Sequence, residues 1–142
     1  HACAMQRCLD LLPEKKILQV GIRSGTKEEF KFMSQKKQLV KFLPGGNAQE
    51  FKKALLPYSN SPIYLTIDLD WFDPSLLPGT GTPEPGGFFW NDFEVILETL
   101  KEFRIVASDI VELSPEIDSS GVSSIVAAKV LRSLIMSVQN MQ

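Results

Sequence analysis

Residues Ile63 to Gly87 read IYLTIDLDWFDPSLLPGTGTPEPGG. An apolar, strand-like run leads into three aspartates, Asp68, Asp70 and Asp73, and a long loop rich in Pro, Gly and Thr follows. Side chains alternate faces along a strand, so Tyr64, Thr66, Asp68 and Asp70 share one side. Ile63, Leu65, Ile67 and Leu69 take the other and are expected in a core. Two residues of strand rise place the Cα atoms of Asp68 and Asp70 roughly 6.5 Å apart. Carboxylates that close, at the end of a buried strand, raise each other's pKa unless something positive lies between them. A divalent cation meets that need, and hard oxygen ligands suit Mn²⁺ or Mg²⁺.

Outward from this run, strands and helices alternate. A helix is expected over residues 2–12, stopped by Pro13. A strand follows over Lys16–Ile22, then a short helix over Lys27–Met33 and a strand over Leu39–Leu43. Asn47 is expected to cap a helix to Leu56, with Glu50 completing a capping box. The central strand covers Ile63–Asp70, and residues 71–88 form the long loop. Asn91, with Glu94, caps a helix to Phe103. A strand over Ile105–Leu113 precedes an amphipathic helix from Ser119–Ser120 to about Val138. Four strand–helix alternations point to an α/β fold with a parallel sheet and flanking helices. In such sheets the site lies at the carboxyl ends of the strands, where Asp70 and Glu112 can converge.

At 142 residues the chain is one domain with room for a core. Its 44% apolar and 23% charged residues are ordinary for a soluble globular protein. The lysine pairs are interleaved with acids and the net charge is −2, a solvated surface and not a nucleic-acid footprint. No apolar stretch is long enough to span a membrane, and no signal peptide is visible. Cys3 and Cys8 lack metal or redox spacing and read as reduced thiols of a cytoplasmic protein. The chain opens on His1, not Met, so an upstream start is expected.

The stretch from Thr66 to Gly87, TIDLDWFDPSLLPGTGTPEPGG, resembles the third signature of the ureohydrolases, the arginase and agmatinase family, with Thr66 where the family more often has Ser. GTPEPGG is closer to the agmatinase branch. Asp109 to Pro115, DIVELSP, resembles the family's strand-end motif, with Ser114 in place of Asn. His1 to Arg7, HACAMQR, resembles the segment that opens on its active-site histidine, and Gln19 to Ser24, QVGIRS, a core strand nearby.

The resemblance implies the C-terminal portion of an arginase-like three-layer α/β/α domain, residues 1–142. It implies hydrolysis of a guanidino compound, agmatine above all, to urea and an amine by hydroxide at a binuclear manganese centre. Asp68 and Asp70 would ligate the two Mn²⁺ ions, one of them bridging. Glu112 would pair with the substrate guanidinium through two hydrogen bonds. His1 would shuttle a proton or contact substrate. Thr82 would support Glu112 from the loop, Glu84 would be scaffolding, and Asp73, before Pro74, would start a turn. The partners implied are a small guanidino substrate and further copies of the chain, as a trimer or hexamer.

The family's other ligands come from GGDH and DAHxD motifs, absent from this sequence with its single histidine. The chain is therefore expected to be inactive alone, with an open edge at the strand bearing Glu112 and a tendency to associate. Arginase or another guanidine-compound hydrolase is an alternative. A phosphotransferase with a strand-end DxD is disfavoured by Trp71 and Phe72, where such sites want a small hydroxyl residue. A non-catalytic, partner-binding remnant is a third reading, and the codons upstream of His1 would separate it from the enzyme.

Overall fold

The computed structural model describes residues 4–12, 16–40 and 42–139. Five helices are present among them: α1 (Ala4–Leu11), α2 (Lys27–Gln35), α3 (Gln49–Leu55), α4 (Trp90–Leu100) and α5 (Val122–Gln139). The strands are β1 (Gln19–Val20), β2 (Leu39–Val40), β3 (Ile63–Asp68) and β4 (Ile105–Val111). Both pairings, β1 with β2 and β3 with β4, are parallel, as the alternation of elements requires. They form two separate two-stranded sheets among the described residues.

The first two strands are shorter than expected. Gly21, at φ +77°, turns the chain out of β1 immediately after Val20. The central strand also stops early, at Asp68, because residues 69–71 wind into a 3₁₀ turn that Asp68 caps by accepting the Asp70 N–H. The alternation of faces holds over β3: Tyr64, Thr66 and Asp68 are exposed, while Ile63, Leu65 and Ile67 are partly buried. Leu69 goes into the core, and Leu65 packs against both core clusters. One cluster gathers Leu69, Phe72, Leu77, Phe93, Val130 and Leu134, and the other Val40, Phe51, Leu55, Leu100, Phe103 and Ile105. Burial of such side chains contributes about 1.5–3 kcal/mol each.

Helix starts differ from the sequence expectation in instructive ways. Asn47 and Glu50 form no capping box: α3 starts after Ala48, and Asn47 Oδ1 accepts the Gln49 N–H in a local turn. At α4 the capping acid is Asp92, not Glu94, and the N-cap is Phe89, not Asn91. Asp92 accepts the Phe89 N–H at 2.8 Å and, across the fold, the Gly45 N–H at 2.6 Å. Glu94 is engaged by Trp90 Nε1. Thr26 and Glu29 form a reciprocal box at α2. Helix α5 starts at Val122, because Ser120 and Ser123 are taken up in a turn around the Asp118 carboxylate.

Candidate active site

The register of β3 against β4 sets Asp68 opposite Val111, so Glu112 is the next residue beyond the paired segment. Two acids from different strands thus meet at one sheet end, with Asp70 a turn further on. Glu112 has φ +67°, in the left-handed region, which costs an L residue roughly 1–2 kcal/mol. The neighbouring backbone holds it there: Thr80 bridges Leu113 in antiparallel fashion, and the Ser114 N–H donates to the Gly79 carbonyl at 2.8 Å. Strain of this kind clusters at functional positions.

The acids influence one another. Partial burial pushes the Asp68 carboxyl up to about 6, and the Asp70 and Glu112 carboxylates add to the shift against the opposing Asp70 N–H bond. Burial is the largest cause of that rise, and the neighbouring carboxylates, which the sequence pointed to, add to it.

Thr82 is placed differently from the expectation. Its hydroxyl donates to Asp70 Oδ2 at 3.0 Å, so its partner is the aspartate and not Glu112. The 3₁₀ turn presents the Asp70 carboxylate to the loop, an arrangement that strand alternation alone does not suggest. Thr80 is buried, and its hydroxyl has no partner among the described residues. Asp73 is a turn residue, accepting from Ser75 N–H and Oγ and from the Gly86 and Gly87 N–H groups. Glu84 contributes its main-chain carbonyl to the loop's anchorage. His1 and Cys3 lie outside the described residues, and Cys8 is a half-buried free thiol.

The donor chemistry of Asp68 and Asp70 fits a hard divalent cation. No group of three His, Cys, Asp or Glu side chains arranged to hold a metal occurs among the described residues. These two carboxylates would therefore form part of a larger ligand shell.

Arg23 is the residue that the sequence reading missed. It lies just past β1, and its guanidinium donates to the carbonyls of Asp70, Trp71 and Glu84. Gly21 makes room nearby, since a Cβ there would lie 2.3 Å from Trp71 Nε1. The Trp71 ring stacks on Phe88 at 4.2 Å, and Phe88 stacks on Phe42 at 5.4 Å.

A model of the arginase family matches residues 1–137. The chain belongs to the arginase family. It is 31% identical over 139 residues to the agmatinase of Bacillus cereus, covering 96% of this chain and 47% of that protein. It is 37% identical over 121 residues to the N(1)-aminopropylagmatine ureohydrolase of Thermococcus kodakarensis, covering 82% of this chain and 40% of that protein. A Clostridium difficile crystal structure assigned as an agmatinase superposes with a TM-score of 0.87 at 45% identity, over 99% of this chain and 51% of its own. The chain spans about half the length of the family members it matches. Its parallel strand pairs and flanking helices are an arginase-type α/β arrangement.

Proposed function

We propose that this chain is the C-terminal part of a single ureohydrolase catalytic domain that hydrolyses a guanidino compound, agmatine to putrescine and urea. The observation that carries the reading is the meeting of Asp68, Asp70 and Glu112 at the β3–β4 end, in a chain of the arginase family. The two relatives named above, one an agmatinase and the other acting on an aminopropyl derivative of agmatine, favour that substrate class.

Asp68 and Asp70 would hold manganese, with Thr82 orienting the Asp70 carboxylate. When bound, the metal pair supplies Lewis acidity that makes water nucleophilic near neutral pH. Glu112 accepts hydrogen bonds from the planar guanidinium and fixes its carbon for attack. Water adds to that carbon, the C–N bond to the alkyl amine breaks, and a proton passes to the departing nitrogen. We assign that transfer to His1, because an imidazole side chain ordinarily exchanges protons near neutral pH. The reaction involves neither nucleic acid nor membrane, and no helix among the described residues is long and apolar enough to cross one. We assign the whole protein to the cytoplasm, as a trimer or hexamer.

With two candidate ligands among the described residues, the 142-residue chain alone is expected to bind Mn²⁺ weakly and release no urea. The test measures urea release from agmatine and arginine, and Mn²⁺ uptake by calorimetry, for this chain and for the longest natural polypeptide containing it. Asp68→Asn with Asp70→Asn should abolish both in the longer form. Unchanged metal uptake in that double variant would sink the assignment. Preference for arginine would move it to the arginase branch.

A further inference from the structure

We infer that Arg23 is a positioning residue for the acidic site, acting on Asp70 through main-chain carbonyls. This rests on the proposed metal-binding role of Asp68 and Asp70. Arg23 Nη1 donates to the Trp71 carbonyl at 2.9 Å, and Nη2 donates to the Asp70 carbonyl at 2.7 Å and the Glu84 carbonyl at 3.0 Å. One nitrogen therefore ties together the 3₁₀ turn bearing Asp70 and the far part of the loop that follows it, which bears Thr82.

The second link between these segments is the Thr82 hydroxyl on Asp70 Oδ2. Together they close a circuit: guanidinium to Asp70 carbonyl, Asp70 side chain to Thr82, and two residues of chain back to the Glu84 carbonyl and the same guanidinium. Within that circuit the Asp70 carboxylate has its orientation set from both ends. The planar fork of arginine suits the task, since its donors diverge at fixed angles. A lysine ammonium has three donors on one atom at the end of a flexible stem and cannot span three carbonyls in the same way. The salt bridges among the described residues do not join Arg23 to any carboxylate. Its effect on the site is therefore chiefly geometric.

Loss of a residue that orients a ligand typically weakens metal affinity 10–100-fold. The experiment uses the longest natural polypeptide containing this chain and measures Mn²⁺ affinity by competition with a chelator. Arg23→Gln, Arg23→Lys, Thr82→Val and the Arg23→Gln/Thr82→Val double variant are compared with wild type. Hydrogen exchange across residues 80–87 is followed in the metal-free proteins.

Arg23→Gln should bind Mn²⁺ about 10–100-fold more weakly, with faster exchange in the loop. Arg23→Lys should recover little, and the double variant should lose less than the two single losses combined, because both act through one circuit. Arg23→Gln that folds and binds within about threefold of wild type overturns the inference, since its expected effect is larger. If that variant does not fold, Arg23→Lys decides, and wild-type affinity there overturns it equally. Failure of wild type to bind Mn²⁺ removes the metal assignment and this inference with it. Binding that depends on Asp68 and Asp70 but not on Arg23 removes the inference alone.

Discussion

Asp73 and Asp68 are carboxylates five residues apart with opposite surroundings. Asp73 accepts from the Ser75 hydroxyl and N–H and from the N–H groups of Gly86 and Gly87, which hold its carboxyl down to about 2. An acid whose folded-state pKa lies below its unfolded value, near 3.9, stabilises the fold fully above that value. The contribution is lost as pH falls towards 2. Urea unfolding of wild type and Asp73→Asn should therefore differ at pH 6 and converge between pH 4 and pH 2. A constant difference across that range would show that the carboxylate charge does not act through these bonds. The turn role of Asp73 was legible from Asp-Pro, and the exposed side of Asp68 from strand alternation, which ends before Asp70 because residues 69–71 wind into a 3₁₀ turn. Arg23 was not legible, because its partners are carbonyls in residues 47, 48 and 61 positions away. Carbonyls are present at every residue, so no side-chain pattern marks those that it selects.

At the scale of elements, the β1 end and the aromatic stack depend on one glycine. Gly21 turns at φ +77°, and a Cβ there would fall 2.5 Å from Phe88 and 2.3 Å from Trp71. Gly21→Ala adds left-handed strain to overpacking and should cost about 2–4 kcal/mol, read from denaturant midpoints. A loss below about 0.5 kcal/mol would mean that the stack moves aside freely. The existence and order of the helices and strands were legible from apolar periodicity, whereas their ends were not. Lys16 to Ile22 carries the β-branched pattern of a longer strand, but Gly21, at positive φ with the Trp71 and Phe88 rings packed against it, ends it early. Asn91 and Glu94 have the spacing of a cap, yet Asp92 takes the role, since it also satisfies the remote Gly45 N–H.

For the whole molecule, the parallel pairing and the gathering of acids at one sheet end follow from the α/β alternation read in the sequence. The division into two small sheets among the described residues does not, because apolar patterning records burial and not which strand lies beside which. Strand β4 is thinly covered: Val106 is 55% exposed, and Ala107 and Ser108 are exposed beside it. An open two-stranded sheet with apolar residues on show invites edge pairing. The 142-residue chain should self-associate in light scattering at micromolar concentration, and Val106→Lys should shift it towards monomer. Monomeric wild-type protein under the same conditions would count against this view of β4.

Trp71 is covalently joined to Asp70 and lies flat against Phe88, one of two tryptophans in the chain. The other, Trp90, lies at the start of α4 under the Lys129 ammonium. Changing Trp90 to Phe leaves a single indole emitter, adjoining the acidic turn. The protein thus carries its own optical gauge, whose emission and quenching follow the order of that turn without any attached dye.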